Sequence, residues 1–200
     1  MALGLGVCPP VMAQQTRAER THYVETSHYD DVVDFVRHIR PRLELGTLGK
    51  TTEGRDIPYL IMSRVAKSPA DAHARGIPVV YVQANIHAGE VEGKEALLAL
   101  LRDLARERRA NVLDSLLIIA VPIYNADGNE KFASQSVNRT EQNGPELVGS
   151  GRMGKGWISI GITLRPKPPR PGPRSRRSIG GIRTCSWICT RPMAASMGMR

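Results

Sequence analysis

Apolar and polar positions alternate with two different periods along this chain. Between Asp30 and Arg40, Val32, Phe35, Val36 and Ile39 recur at helical spacing, which predicts an amphipathic helix. Glu53-Gly54-Arg55-Asp56 reads as a turn, and Ile57 to Ser63 (IPYLIMS) as a strand. Ile77 to Ala84 (IPVVYVQA) is a second strand, apolar on both faces, as suits a buried position in an α/β sheet. Glu92 to Arg108 is the longest predicted helix. Leu97, Leu100, Leu101 and Leu104 form its stripe, with acids near its start and arginines near its end, matching the helix dipole. Leu116 to Ile123 (LLIIAVPI) is a third strand and runs into the turn Tyr124-Asn125-Ala126-Asp127-Gly128. Strand, helix, strand at this spacing is a βαβ unit.

The pattern stops after Ser150. RPKPPRPGPRSRR, residues 165 to 177, has no apolar period, and its composition argues against a packed core. Charge divides at the same place. Residues 151 to 200 hold 11 Lys and Arg and no Asp or Glu, so the remaining 150 residues carry a net −2. The expected organisation is a possible signal-peptide remnant over 1–13, an α/β domain over 20–150, and an unstructured basic tail over 151–200. Val11-Met12-Ala13 before Gln14-Gln15 resembles a signal cleavage site, although no basic residues precede it. On that ground the expected location is extracytoplasmic, secreted or periplasmic. Three cysteines, Cys8, Cys185 and Cys189, supply neither a disulfide framework nor a zinc site. No apolar run approaches the roughly 18 residues that span a membrane.

The candidate chemistry lies in NIHAGEVEGKEA, residues 85 to 96. His87 sits where the second strand ends, and open α/β sheets place their sites at that end. A three-residue step across a turn brings the His87 imidazole and the Glu90 carboxylate to one side, and zinc accepts both ligand types. The same two residues also suit a strand-end histidine bonded locally and a glutamate favouring a helix N-terminus.

Three blocks in order, EGRDIPYLIMS, VVYVQANIHAGEVEGKEALLALL and IIAVPIYNADG, resemble the zinc carboxypeptidase family, over about residues 50 to 150. The resemblance implies an α/β sandwich around a mixed sheet, incomplete in this chain. It implies that His87 and Glu90 are two ligands of a catalytic Zn2+, and that Asn125 to Gly128 is a structural turn. Arg139, in NRTEQNGP, is the match to the family's oxyanion-stabilising arginine. It further implies a peptide substrate, whose C-terminal bond is hydrolysed by a zinc-activated water.

The family's third ligand is a histidine about 100 residues after the first pair, and no histidine follows His87. The Asn-Arg-Asp stretch that holds the substrate carboxylate is absent after Gly144. So is the general-base glutamate, since no acid follows Glu146. A one-base slip of the reading frame near residue 150 accounts for all three. Trp and Met have single codons, so Trp157-Ile158 and Trp187-Ile188 each contain a shifted aspartate codon, and Met193-Ala194 and Met197-Gly198 shifted glycine codons. The other letters then permit Gly-Leu-Asp-Leu-Asn-Arg-Asp-Tyr-Ile from residues 156–164. They permit Val-Asp-Leu-His-Thr-Thr-Asn-Gly from residue 186 onward, with the histidine codon spanning Cys189 and Thr190. Both look like family blocks, the carboxylate clamp and the third ligand. The 200 residues as written are therefore expected to bind zinc poorly and to be inactive.

Two other functions fit less of the chain. A zinc amidohydrolase of N-acyl amino acids shares the His-x-x-Glu pair, but the upstream EGR and downstream NADG blocks favour the peptidase. A basic tail could bind nucleic acid through phosphates, yet only Trp157 and Trp187 offer aromatic stacking there. No nucleic-acid partner is expected.

Overall fold

A computed structural model describes residues 14–140, 143–150 and the backbone of 185–188. The proposed signal remnant, and the tail apart from 185–188, lie outside the described residues.

The first helix among the described residues is one turn long, α1 (Arg17–Arg20), closed by a reciprocal cap. Thr16 accepts from the Glu19 amide at 3.1 Å, and Glu19 accepts from the Thr16 amide at 2.8 Å. Helix α2 (Tyr29–His38) follows, with Asp30 and Asp31 in its first turn and Arg37 and His38 in its last. It stops short of Pro41, which disfavours helical backbone at the residue before it. Strands β1 (Glu44–Lys50) and β2 (Asp56–Met62) form an antiparallel pair. A short helix α3 (Pro69–Ala74), capped by Ser68, leads into β3 (Val79–Gln83). Helix α4 (Val91–Arg106) and β4 (Leu117–Val121) complete a parallel βαβ unit.

The sheet order is β1-β2-β4-β3, with β2 and β4 antiparallel and β3 and β4 parallel. The architecture is thus mixed α/β, as the sequence predicts. Side chains alternate across the sheet. Leu60, Met62, Ile118 and Ala120 join Val32, Phe35, Val36, Leu97, Leu98 and Leu101 in the main core beneath α2 and α4. Ile61 and Leu117 face the other way, into a smaller cluster with Ala66 and Ala72.

Two predicted features differ in detail. Leu100 is exposed, and the buried stripe of α4 runs through Val91, Lys94, Leu97, Leu98 and Leu101. The β3 side chains are only half-buried, although their sequence is apolar on both faces. Strand β4 is central in the sheet and mostly buried, whereas β3 lies one place nearer the edge.

After β4, a helical turn α5 (Ala126–Asn129) precedes a two-stranded ribbon. Strand β5 (Ala133–Ser134) pairs with β6 (Leu147–Val148), and a short helix α6 (Gln135–Asn138) lies between them. The remaining strand, β7 (Cys185–Ile188), adds in parallel to the free edge of β3, with Ile188 opposite Gln83.

Candidate functional site

The carboxyl end of β3 carries the site. Beyond Gln83 the chain stays tied to β4: the Ala84 amide donates to the Val121 carbonyl at 2.9 Å, and the Tyr124 amide donates to the Ala84 carbonyl at 3.1 Å. Asn85 then turns the chain, in left-handed backbone with φ 59°. Asparagine is among the few residues that tolerate this region. His87 follows on a tight turn in which the Glu90 amide donates to the His87 carbonyl at 2.8 Å. Glu90 stands at the N-cap of α4, but its side chain makes no capping bond, which leaves the carboxylate free to face His87.

His87 Nδ1 lies 3.4 Å from Glu90 Oε1, with the imidazole 51% exposed and the carboxylate 27%. Two donors at ordinary zinc bond lengths on neighbouring tetrahedral corners stand about 3.3 Å apart. The pair therefore fits two corners of a zinc site. Among the described residues, no group of three or more His, Cys, Asp or Glu is placed to hold a metal ion. The third corner has no donor there.

Arg139 reaches the same turn from the other side. Its Nη1 donates to the Gly89 carbonyl and, at 2.8 Å, to Glu92 Oε2, while Nε is buried without a partner. The approach depends on Gly89, where a Cβ would meet the Gly149 carbonyl oxygen at 3.1 Å and the Asn138 carbonyl oxygen at 3.3 Å. The three candidate residues, His87, Glu90 and Arg139, thus share one turn.

Behind that turn lies a polar latch. Asp127 is buried and accepts from Thr51 Oγ1 at 2.6 Å, Arg55 Nη1 at 2.8 Å, Thr52 Oγ1 at 3.0 Å and the Glu53 amide at 3.1 Å. Burial pushes its carboxyl pKa up, but the bonds from Thr51, Arg55, Glu53 and Thr52 outweigh burial and hold it below the usual range. Asn125 carries the latch to the site. Its side-chain amide donates to the Ile86 carbonyl at 3.2 Å, its backbone amide to the Asn85 carbonyl at 3.0 Å, and its Oδ1 accepts from the Gly128 amide at 3.0 Å. A Cβ on Gly128 would strike the Asn125 side chain at 2.5 Å. The EGR and NADG blocks are therefore two halves of one support for His87.

Lys94 is a functional candidate that the reading of the sequence passed over. It is wholly buried on the core face of α4. The signal was available: Lys94 precedes Leu98 by four residues and Leu101 by seven, placing a charge in the apolar stripe.

Part of the chain is 36% identical over 81 residues to a probable carboxypeptidase 2 of Trichophyton verrucosum, covering 40% of this chain and 15% of that protein. Carboxypeptidase M of Mus musculus is 33% identical over 91 residues, 43% of this chain and 20% of that protein. The chain thus spans only a minor part of the length of these relatives. Among solved structures, carboxypeptidase A from Helicoverpa armigera aligns at TM-score 0.43 and 22% identity, over 53% of this chain and 26% of that one. A metallo-carboxypeptidase from Burkholderia cenocepacia aligns at TM-score 0.44 and 23% identity, over 53% and 29%. The family model described as zinc carboxypeptidase matches residues 30–155, more than half of the sequence and all of the sheet from β1 to β4. The chain belongs to the zinc carboxypeptidase family.

Proposed function

We propose that this chain carries the first half of a metallocarboxypeptidase active site, with His87 and Glu90 as zinc ligands and Arg139 as the oxyanion-stabilising group. The observation that carries this reading is the 3.4 Å approach of His87 Nδ1 to Glu90 Oε1 at the end of β3, with Arg139 on the same turn. In such a site the metal supplies Lewis acidity toward the scissile carbonyl and its water. The part of this chain is to hold two donors at the right separation. Arg139 would offer N–H donors to the negative charge that develops on the carbonyl oxygen. The substrate class is a peptide with a free C-terminal carboxylate.

Written as it stands, the sequence supplies two donors of three, so we propose that the 200-residue chain binds zinc weakly and has no peptidase activity. The shifted reading restores the third. The shifted histidine codon would supply it, spanning residues 189 and 190. Re-sequencing codons 144 to 160 tests this reading of the gene. The frame-corrected protein should release C-terminal residues from N-blocked peptides, and should lose that activity to a chelator. Zinc-dependent cleavage by the 200-residue chain itself would sink the two-donor argument. Turnover of N-acyl amino acids in place of peptides would move the assignment to the amidohydrolase reading.

A further inference from the structure

We infer that Lys94 is the positioning residue of the His87–Glu90 turn, its buried ammonium setting the conformation of Asn85 through Asn129. Its functional meaning rests on the reading of His87 as a metal ligand; the positional claim does not.

The α4 stripe needs no charge for packing. A methionine or leucine at position 94 would continue Val91, Leu97, Leu98 and Leu101, and a buried charge is costly unless it is paired and hydrogen-bonded. The nearest carboxylate oxygen, Glu95 Oε1, is 3.9 Å away. The Lys94 hydrogen bonds go instead to two neutral oxygens on separate segments: the Ser27 carbonyl, and Asn129 Oδ1 at 2.6 Å. Burial pushes the Lys94 pKa down to about 8, against the pull of Glu95, Glu130 and Asp31. A neutral amine still donates, so the tie survives deprotonation.

Asn129 converts this contact into geometry. Its Nδ2 donates to Glu130 Oε1 at 2.8 Å and to the Ser27 carbonyl at 3.3 Å, which fixes which way the amide points. Its Oδ1 accepts from Lys94 and from Asn85 Nδ2 at 3.1 Å. Asn85 must therefore present its NH2 group, and its own Oδ1 is left buried with no partner. An amide held with one end unsatisfied, on a residue in left-handed backbone, is a constrained hinge two residues before His87. Lys94 supplies the donor that keeps Asn129 oriented, and Asn129 keeps that hinge in place.

The test is residue-resolved amide exchange by NMR on the 200-residue chain and on Lys94→Met. The amides to follow are Asn125, bonded to the Asn85 carbonyl, and Glu90, bonded to the His87 carbonyl. In Lys94→Met these two should exchange about tenfold faster while the β4 amides stay as protected or better. Unchanged exchange at Asn125 and Glu90, or a uniform rise across the sheet, overturns the inference. If Lys94→Met does not fold, Asn129→Ala removes the bridge and leaves Lys94 bonded to Ser27. The same local loosening is expected, and its absence overturns the inference. A parallel zinc titration of the His87 ring signals separates the two claims. No zinc response in the frame-corrected protein, where a third donor would be present, with loosening in the variant, removes the metal reading and leaves the positioning role intact.

Discussion

The two polar clusters at the end of the sheet are built on opposite principles. The Asp127 latch is closed: a buried carboxylate takes four donors from one turn, and every donor is satisfied there. The His87–Glu90 turn is open: two donors face each other at 3.4 Å, the imidazole half exposed. A closed cluster contributes to stability because removing its centre strands buried donors. An open, half-exposed cluster contributes little to stability. Their connection through Asn125 to Ile86 explains why the stable one is needed behind the labile one.

The largest effect that would break this contrast is at Asp127. Asp127→Ala should cost about 3 kcal/mol, the low end for stripping a buried charge pair, because Arg55 keeps some contact with water. Urea denaturation measures it, and a loss below about 1 kcal/mol would place the latch among ordinary surface pairs. The pH dependence has a definite sign. A carboxylate held below its unfolded pKa adds stability that is fully present above that unfolded value and is lost as pH falls through the folded one. Asp127→Asn should therefore flatten the acid limb of the stability profile.

Next in size is Lys94, whose linkage runs the other way. With a folded pKa near 8 against 10.5, the unfolded state holds more protons between those values, so stability rises as pH increases through that window. Below pH 8 both states are protonated and the full penalty applies, about 3 kcal/mol from the shift. Above about pH 10 the raised pKa values of Tyr29, Tyr59 and Tyr81 act in the opposite direction, so the rise is clearest from pH 8 to 10. Thermal melts of Lys94→Met across that range should show no rise and a higher midpoint at neutral pH. A globally firmer protein with a looser His87 turn would separate the cost of this lysine from its use.

Legibility in the sequence followed the range of the interactions. Helices α2 and α4 and strands β2 to β4 were readable because each declares its period within a dozen residues. Strand β1 was not, since ELGTLGK carries two glycines and lies on the sheet edge, where burial is partial throughout. Helix α3 is six residues long and owes its form to the Ser68 cap, too short for a period to show. The His87–Glu90 approach was legible because the residues are three apart. The bond of Asp127 to Thr51, Thr52, Glu53 and Arg55 spans more than seventy residues, and nothing local in either block announces the other. Lys94 was legible only as an offence against the stripe, and Leu100 was mistaken for a member because a run of leucines satisfies more than one helical face.

The smallest stability effect is the sharpest test of the open cluster. His87→Ala removes a half-exposed ring whose polar partner among the described residues is Glu90, so unfolding free energy should stay within about 0.5 kcal/mol of the parent. The same substitution should abolish any zinc-induced change in the chain, because it leaves Glu90 as a single donor. Glu90→Gln should do likewise with the fold intact, since that carboxylate makes no cap on α4. A cost well above 1 kcal/mol for either would mean that the pair is held for packing or for the helix N-terminus. The turn would then be structural, and its 3.4 Å spacing would say nothing about metal. Neutral stability with lost zinc response would show the reverse: the fold keeps this pair where it is without depending on it.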